Sequence, residues 1–243
     1  MTALRLGLVH TPVMPFGRDR KIDFDLFGKL IDFHQRNGAD GILAITPYFW
    51  TPTLEAIETY FMRLCTAIDL PVLSYNSPSY LAGVEITGDL MARLIDRLPN
   101  FVGVKEASFN SEKFLEISRF ATKLRPDFAM LTGVEYLLPS VPLGGVGCYS
   151  AAGSIAPNLC SATFEACVAG DWERARELQY KLSWLWLLFR DQYPSSLKGG
   201  MVMMGRNVGP TRPPLPTATK ERQAYIRGQL EELGLFDSEP HGW

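Results

Sequence analysis

The amino-acid sequence predicts an α/β protein: a TIM-barrel-like parallel arrangement, shortened to about six βα units, with a C-terminal helical subdomain. Three observations point there. Short apolar, β-rich runs alternate with longer segments of helical period over the first 150 residues, the pattern of parallel βα units. The 243 residues would be nearly used up by one barrel of roughly 250 residues. After Ser150 the alternation stops and only helical signals remain. The expected division is an incomplete barrel over 1–170 and a helical subdomain over 171–243.

The predicted strands are Leu6 to His10, Gly41 to Thr46, Pro71 to Tyr75, Phe101 to Lys105, Phe128 to Thr132 and Gly145 to Ser150. Between them, helical spacing covers 23–37, 53–67, 86–98, 111–123 and 134–139, with Asp23, Thr53 and Thr87 placed as N-caps. Further on, helices are expected over 158–168, 171–190, 195–205 and 217–233, the second of these starting at Asp171 after Gly170. The stretch "NVGPTRPPLP" carries too much Pro and Gly for anything but an extended connection, and "DSEPHGW" is expected to fray. Parallel barrels close with eight strands, so six leave an internal shortage.

Composition narrows the partners. Hydrophobic residues make up 47% and charged residues 21%, and the formal charge of −2 gives no electrostatic reason to bind nucleic acid or an anionic membrane. Small molecules are the expected partners. Cys65, Cys148, Cys160 and Cys167 form no CxxC pair, and His10, His34 and His241 have no ligand spacing, so no zinc site is expected. Arg5 precedes only a short apolar run ending at Pro12, unlike a signal peptide, and the apolar stretch from Leu182 to Phe189 is too short to span a bilayer. A cytoplasmic protein with reduced thiols is expected.

Four stretches can carry chemistry. In "FVGVKEAS", Lys105 ends an apolar run; desolvation there lowers a lysine's pKa, and the neutral amine attacks a ketone to form a Schiff base. The alternative is a lysine at an exposed strand end, snorkelling to water. In "SYNSPSYLAG", Tyr75 is placed to move protons, on a turn set by Asn76 and Pro78; a merely packed tyrosine is the alternative. "TPYFWTP", with Tyr48, Phe49 and Trp50 in a row, is either a stiff exposed loop or a hydrophobic staple for the next helix. "GGVGCYSAAGS" either cradles a phosphate or brings backbone close to another small ligand, and it carries no fixed phosphate fingerprint. Glu58, Glu135 and Asp191 show no pairing that the sequence alone would place together, and Trp184 and Trp186 fit an apolar helix.

In this order the pieces resemble the dihydrodipicolinate synthase and N-acetylneuraminate lyase family of class I aldolases. The opening "GLVHTPVMPFGRDRKIDFDLFGKLIDFHQRNGADGI" is similar to the family's first βα unit. It is followed by "TPYFWTP", "PVLSYNSPSY", "NFVGVKEAS", "FAMLTGVE", "LGGVGCYSAAGSIAP" and "LFRDQYPSSLKGGMVMMG". The resemblance implies a (β/α)8 barrel with a helical C-terminal domain, assembled as a homo-oligomer, a tetramer or dimer. It implies Schiff-base chemistry on pyruvate or another 2-oxo acid, with an aldehyde as second partner and no cofactor. Lys105 matches the family's lysine and Tyr75 its proton-shuttling tyrosine. Gly133 and Tyr149 fall where the keto-acid pocket is lined, and Tyr48 and Tyr80 at positions facing substrate.

Departures from the family are specific. "GADGI" runs directly into "TPYF", joining the second strand's entrance to the fourth strand's exit, so that two βα units of about 30 residues each are missing. The double-threonine loop that holds the pyruvate carboxylate has no counterpart, Phe49 lacks a tyrosine's hydroxyl, and Tyr80 stands in place of an arginine. The expected activity is therefore a Schiff-base lyase, aldolase or hydratase other than a typical dihydrodipicolinate synthase, impaired by the missing loop. The alternative is a non-catalytic relative serving as a binding or interaction subunit.

Overall fold

Six strands lie side by side in chain order: β1 (Leu8–His10), β2 (Ala39–Ile45), β3 (Val72–Asn76), β4 (Phe101–Glu106), β5 (Ala129–Thr132) and β6 (Gly145–Cys148). The pairs from β1 through β5 are all parallel. The computed structural model describes residues 8–10, 25, 28, 29, 39–211 and 213–242. The expected cap Asp23, most of the 23–37 helix, His34 and most of the opening motif lie outside the described residues. Among the described residues β1 and β6 end the strand order and no pairing joins them. Six strands match the shortened arrangement expected.

Connections between strands follow the sequence signals closely. Helix α1 (Leu54–Ala67) starts where the Thr53 side chain accepts from the N–H of Ala56, α2 (Gly88–Arg97) where Thr87 accepts from Leu90, and α3 (Ser111–Leu124) where Asn110 accepts from Glu112 and Lys113. Each cap satisfies backbone donors that the first helical turn leaves without partners. Strand alternation then sorts side chains to two faces. Ile42, Ala44, Val72, Val104 and Met130 join Ile57, Phe61, Leu64, Leu90, Leu94, Phe114 and Ile117 of the helices in one apolar core. Each large side chain buried there contributes about 1.5–3 kcal/mol. Tyr75 and Lys105 alternate with this set and belong to the opposite face.

Polar clamps tie the starts of the strands. The Asn100 amide donates from Nδ2 to the carbonyls of Cys65, Ile68 and Leu70. The Arg125 guanidinium donates to the carbonyls of Ile95, Leu98, Pro99 and Phe101. Carbonyls of the last helical turns, of the following loops and of the first residue of β4 thus find side-chain donors at this edge.

The chain divides into two compact units, one of Met1–Gly133 with Leu143–Val146 and one of Val134–Pro142 with Gly147–Trp243. The second contains α4 (Leu137–Ser140), α5 (Pro157–Ala169), α6 (Trp172–Arg190), α7 (Ser195–Met203), α8 (Lys220–Glu232) and α9 (Leu235–Ser238). This division falls earlier than the boundary expected at residue 170, because α5 packs its Leu159, Ala166 and Cys167 into one core with Leu182, Leu185 and Phe189 of α6. Left-handed Gly170 ends α5 and Asp171 caps α6, as the sequence suggests. Trp186 is buried, whereas Trp184 is exposed and donates from Nε1 to Gln229. The segment 239–242, expected to fray, is pinned: the Glu239 carboxylate accepts from the N–H groups of Asn158 and Leu159, and the N–H of Gly242 donates to Met204. No helix among the described residues is long and apolar enough to cross a membrane.

Replacing Asn100→Asp keeps the shape but removes the donor from three carbonyls. It is expected to lower stability by about 2–4 kcal/mol, read as a shifted urea midpoint at unchanged m-value.

Candidate active site

The paired strands β3 and β4 bring the two chemistry-bearing motifs into register, with Tyr75 opposite Lys105 and Asn76 opposite Glu106. On one face the Lys105 Nζ lies 4.0 Å from the centroid of the Tyr75 ring. Burial holds the Lys105 amine below the ordinary lysine pKa. The aromatic face attracts the ammonium form and so limits how far that depression goes.

On the opposite face the motif's remaining letters hold this register. Asn76 Nδ2 donates to Glu106 Oε2 at 2.6 Å, while Asn76 Oδ1 accepts from the N–H of Ile86 at 3.0 Å. Glu106 Oε1 accepts from the N–H of Ser108 at 2.6 Å, and the N–H of Ala107 donates to the Asn76 carbonyl at 2.8 Å. Glu106 is only 4% exposed. That burial raises its pKa, against the hydrogen bonds from Ser108 and Asn76 that favour the carboxylate. The sequence "KEAS" had singled out the lysine, but its glutamate and serine are the parts that fix the strand end.

Gly133 ends β5 beside this junction. Its N–H donates to the Glu106 carbonyl at 2.7 Å, and a Cβ placed on it would lie 2.1 Å from the Cβ of Ala107. Only a residue without a side chain permits that approach. Tyr75, Lys105 and Gly133 therefore sit together at the carboxyl ends of three adjacent strands, the edge where parallel barrels place their sites.

Other predicted positions are distributed differently. Tyr48 and Tyr80 lie on the loops after β2 and β3 and are exposed, Tyr80 at 63%. Phe49 and Trp50 are 79% and 84% exposed and meet edge-on with centroids 5.3 Å apart. The staple alternative for this loop is thereby excluded, since a staple would bury them. Tyr149 belongs to the second unit, where it is half-buried and its phenol pKa is raised by desolvation.

The segment after Tyr149 is organised by a residue the sequence left without a role. Glu135 Oε1 accepts from the Ser150 hydroxyl and from the N–H of Ala152, both at 2.7 Å. The N–H of Gly153 donates to Ser150 Oγ, and Gln179 Nε2 donates to the Glu135 carbonyl. Loop donors needed for a phosphate cradle are already taken by a carboxylate and a hydroxyl, which argues against that use. The other carboxylate oxygen, Oε2 of Glu135, is buried with no hydrogen-bond partner among the described residues.

Comparison with known proteins agrees with the motifs. Residues 34–233 match the model of the dihydrodipicolinate synthetase family. A 4-hydroxy-tetrahydrodipicolinate synthase from Methanopyrus kandleri is 36% identical over 201 residues, covering 82% of this chain and 66% of the relative. One from Thermus thermophilus is 35% identical, covering 95% of this chain and 76% of the relative. Among solved structures, a prophage protein of the dihydrodipicolinic acid synthase family from E. coli K12, in complex with pyruvate, superposes with a TM-score of 0.80 at 27% identity. That match covers 88% of this chain and 72% of the other. The chain spans about two thirds of the length of the first curated relatives it matches.

Two outcomes test this geometry. Gly133→Ala forces the overlap with Ala107 and is expected to cost about 1–3 kcal/mol, measured by chemical denaturation. For Glu106 the folded pKa lies above the unfolded one. Its contribution to stability is therefore complete below the ordinary carboxylate range and declines as pH rises through the raised value. Glu106→Gln lacks that decline, so the wild-type urea midpoint minus the variant's is expected to fall as pH rises from about 4 to 8.

Proposed function

The chain belongs to the dihydrodipicolinate synthetase family, and we propose on that footing that it is a Schiff-base lyase, aldolase or hydratase acting on pyruvate or another 2-oxo acid. The single observation that carries this reading is the Lys105 amine, half-buried with a lowered pKa, 4.0 Å from the Tyr75 ring on the neighbouring strand. Lys105 in its neutral form attacks the keto carbon. The carbinolamine loses the keto oxygen as water, leaving an iminium that serves as electron sink. Loss of a proton from the adjacent carbon gives an enamine, which adds to an aldehyde carbonyl; the reverse sequence cleaves the same carbon–carbon bond. The Tyr75 hydroxyl moves the protons in these steps.

Gly133 and Tyr149 line the keto-acid site in this reading, and Tyr48 and Tyr80 face the second substrate. Tyr80 offers no charge to a second carboxylate, Phe49 offers no hydroxyl, and the double-threonine loop has no counterpart. These residues support an enzyme other than a typical dihydrodipicolinate synthase, with turnover reduced because the carboxylate of the keto acid is held loosely. The exposed Phe49 and Trp50 support a homo-oligomer. One observation favours the alternative, a non-catalytic relative: the strand order ends at β1 and β6 with no pairing between them among the described residues.

Borohydride trapping with pyruvate, followed by mass spectrometry, separates the two readings. A reduced pyruvyl adduct on Lys105 is expected in the wild type and none in Lys105→Ala. Tyr75→Phe is expected to keep the adduct while lowering turnover about 10²–10⁴-fold. An unmodified Lys105, with an intact family enzyme labelled alongside, removes the lyase reading. Because the neutral amine reacts, adduct formation is expected to rise with pH to a midpoint below the usual lysine value of about 10.4.

A further inference from the structure

Helix α5 begins without a cap of its own, since Ala156 supplies no side-chain hydrogen bond. The cap comes from some 80 residues away. Glu239, 6% exposed, accepts from the N–H of Asn158 through Oε2 and from that of Leu159 through Oε1, each at 2.8 Å. Asn158 Nδ2 returns a bond to the Ser238 carbonyl at 2.9 Å. A carboxylate against the first turn of a helix is favoured both by the unpaired N–H groups and by the helix dipole.

Next to it lies a buried cation that donates to four backbone carbonyls. Arg206, 8% exposed, donates from Nε to Ser154 at 3.1 Å and from Nη2 to Ile155 at 3.0 Å. It also donates from Nη1 to Pro240 at 2.7 Å and to Gly242 at 3.2 Å. The guanidinium thus joins the segment leaving Tyr149 to the strap 239–242, and Gly242 closes the strap onto Met204. Counting from Tyr149, the chain is held at Ser150 and Ala152 by Glu135, at Ser154 and Ile155 by Arg206, and at Asn158 and Leu159 by Glu239. Such density of charge-assisted bonds exceeds what capping one helix requires.

We infer that Arg206 and Glu239 are positioning residues for Tyr149, the strap they hold fixing the 150–159 segment so that the phenol is presented in one place. This rests on the proposed function, in which Tyr149 lines the keto-acid site. Neither residue touches substrate; both act through the loop. Loosening the strap leaves the Lys105 amine intact while widening the range of positions available to Tyr149, so half-saturation by the keto acid rises more than the trapping rate at saturation falls.

The test uses the full chain with Arg206→Met and Glu239→Gln. Acetylation of Tyr149 by N-acetylimidazole is followed by mass spectrometry, with partly buried Tyr60, which touches neither Arg206 nor Glu239, as the control, alongside pyruvate titration of borohydride trapping. In either folded variant Tyr149 is expected to react about tenfold faster, the factor that corresponds to losing one charged hydrogen bond. The rate of Tyr60 labelling stays at its wild-type value and the pyruvate concentration for half-maximal trapping rises by a similar factor. If Arg206→Met does not fold, Glu239→Gln, which keeps one acceptor, decides alone. Unchanged Tyr149 acetylation in a folded variant overturns the inference, as does faster acetylation with unchanged half-saturation. Absence of any adduct in the wild type defeats the lyase reading instead, while Tyr149 acetylation still decides whether the strap holds the phenol.

Discussion

The hydrogen bond between Asn76 and Glu106 is the constraint on which the candidate site depends. Two neighbouring parallel strands offer many registers, and a slip of one residue would send Tyr75 or Lys105 to the helix-packed face. The buried amide and carboxylate, 2.6 Å apart, penalise such a slip, because any other register takes Glu106 Oε2 away from the Asn76 Nδ2 donor in an apolar setting. Asn76 is spoken for on both sides, by Ile86 and by Glu106, and Glu106 in turn by Ser108. One connected polar group thereby orders the exits of β3 and β4 and the loops that follow them.

That arrangement also sets a buried carboxylate next to the lysine in sequence but on the other face of the strand. Adjacent residues on a strand point to opposite faces, so Glu106 supports the site from the helix side while Lys105 works on the other. Were the carboxylate on the same face, it would favour the ammonium and hold the amine out of nucleophilic use.

Much of this was legible in the sequence, for identifiable reasons. The strand cores and helices α1 to α3 follow from apolar period and from caps such as Thr53 and Thr87, which are local signals. The Lys105–Tyr75 pairing follows from two motifs on consecutive strands. What stayed hidden depends on distant partners: Glu135 meeting Ser150 and Gln179, Arg206 meeting Ser154 and Pro240, Glu239 meeting Asn158. A polar residue in a charged tail looks solvated until the fold supplies a helix start for it to cap, which is why 239–242 reads as fraying. Exposure of Phe49 and Trp50 was equally unreadable, because three aromatics in a row suit a buried staple as well as an open loop.

The carbonyl clamps formed by Asn100 and Arg125 hold the strand starts, whereas the reactive amine stands at the strand exits. Along β4, Phe101 and Lys105 are four residues apart, roughly 13 Å at the rise of a parallel strand. Groups that far apart contribute to the free energy almost independently. Inheritance at the two edges is consequently uncoupled: drift in the residues around Lys105 leaves the clamps' contribution intact, and a gain of stability at the clamps can offset losses incurred while the exits change. A chain built this way can explore new chemistry at one rim without first solving its folding problem again at the other.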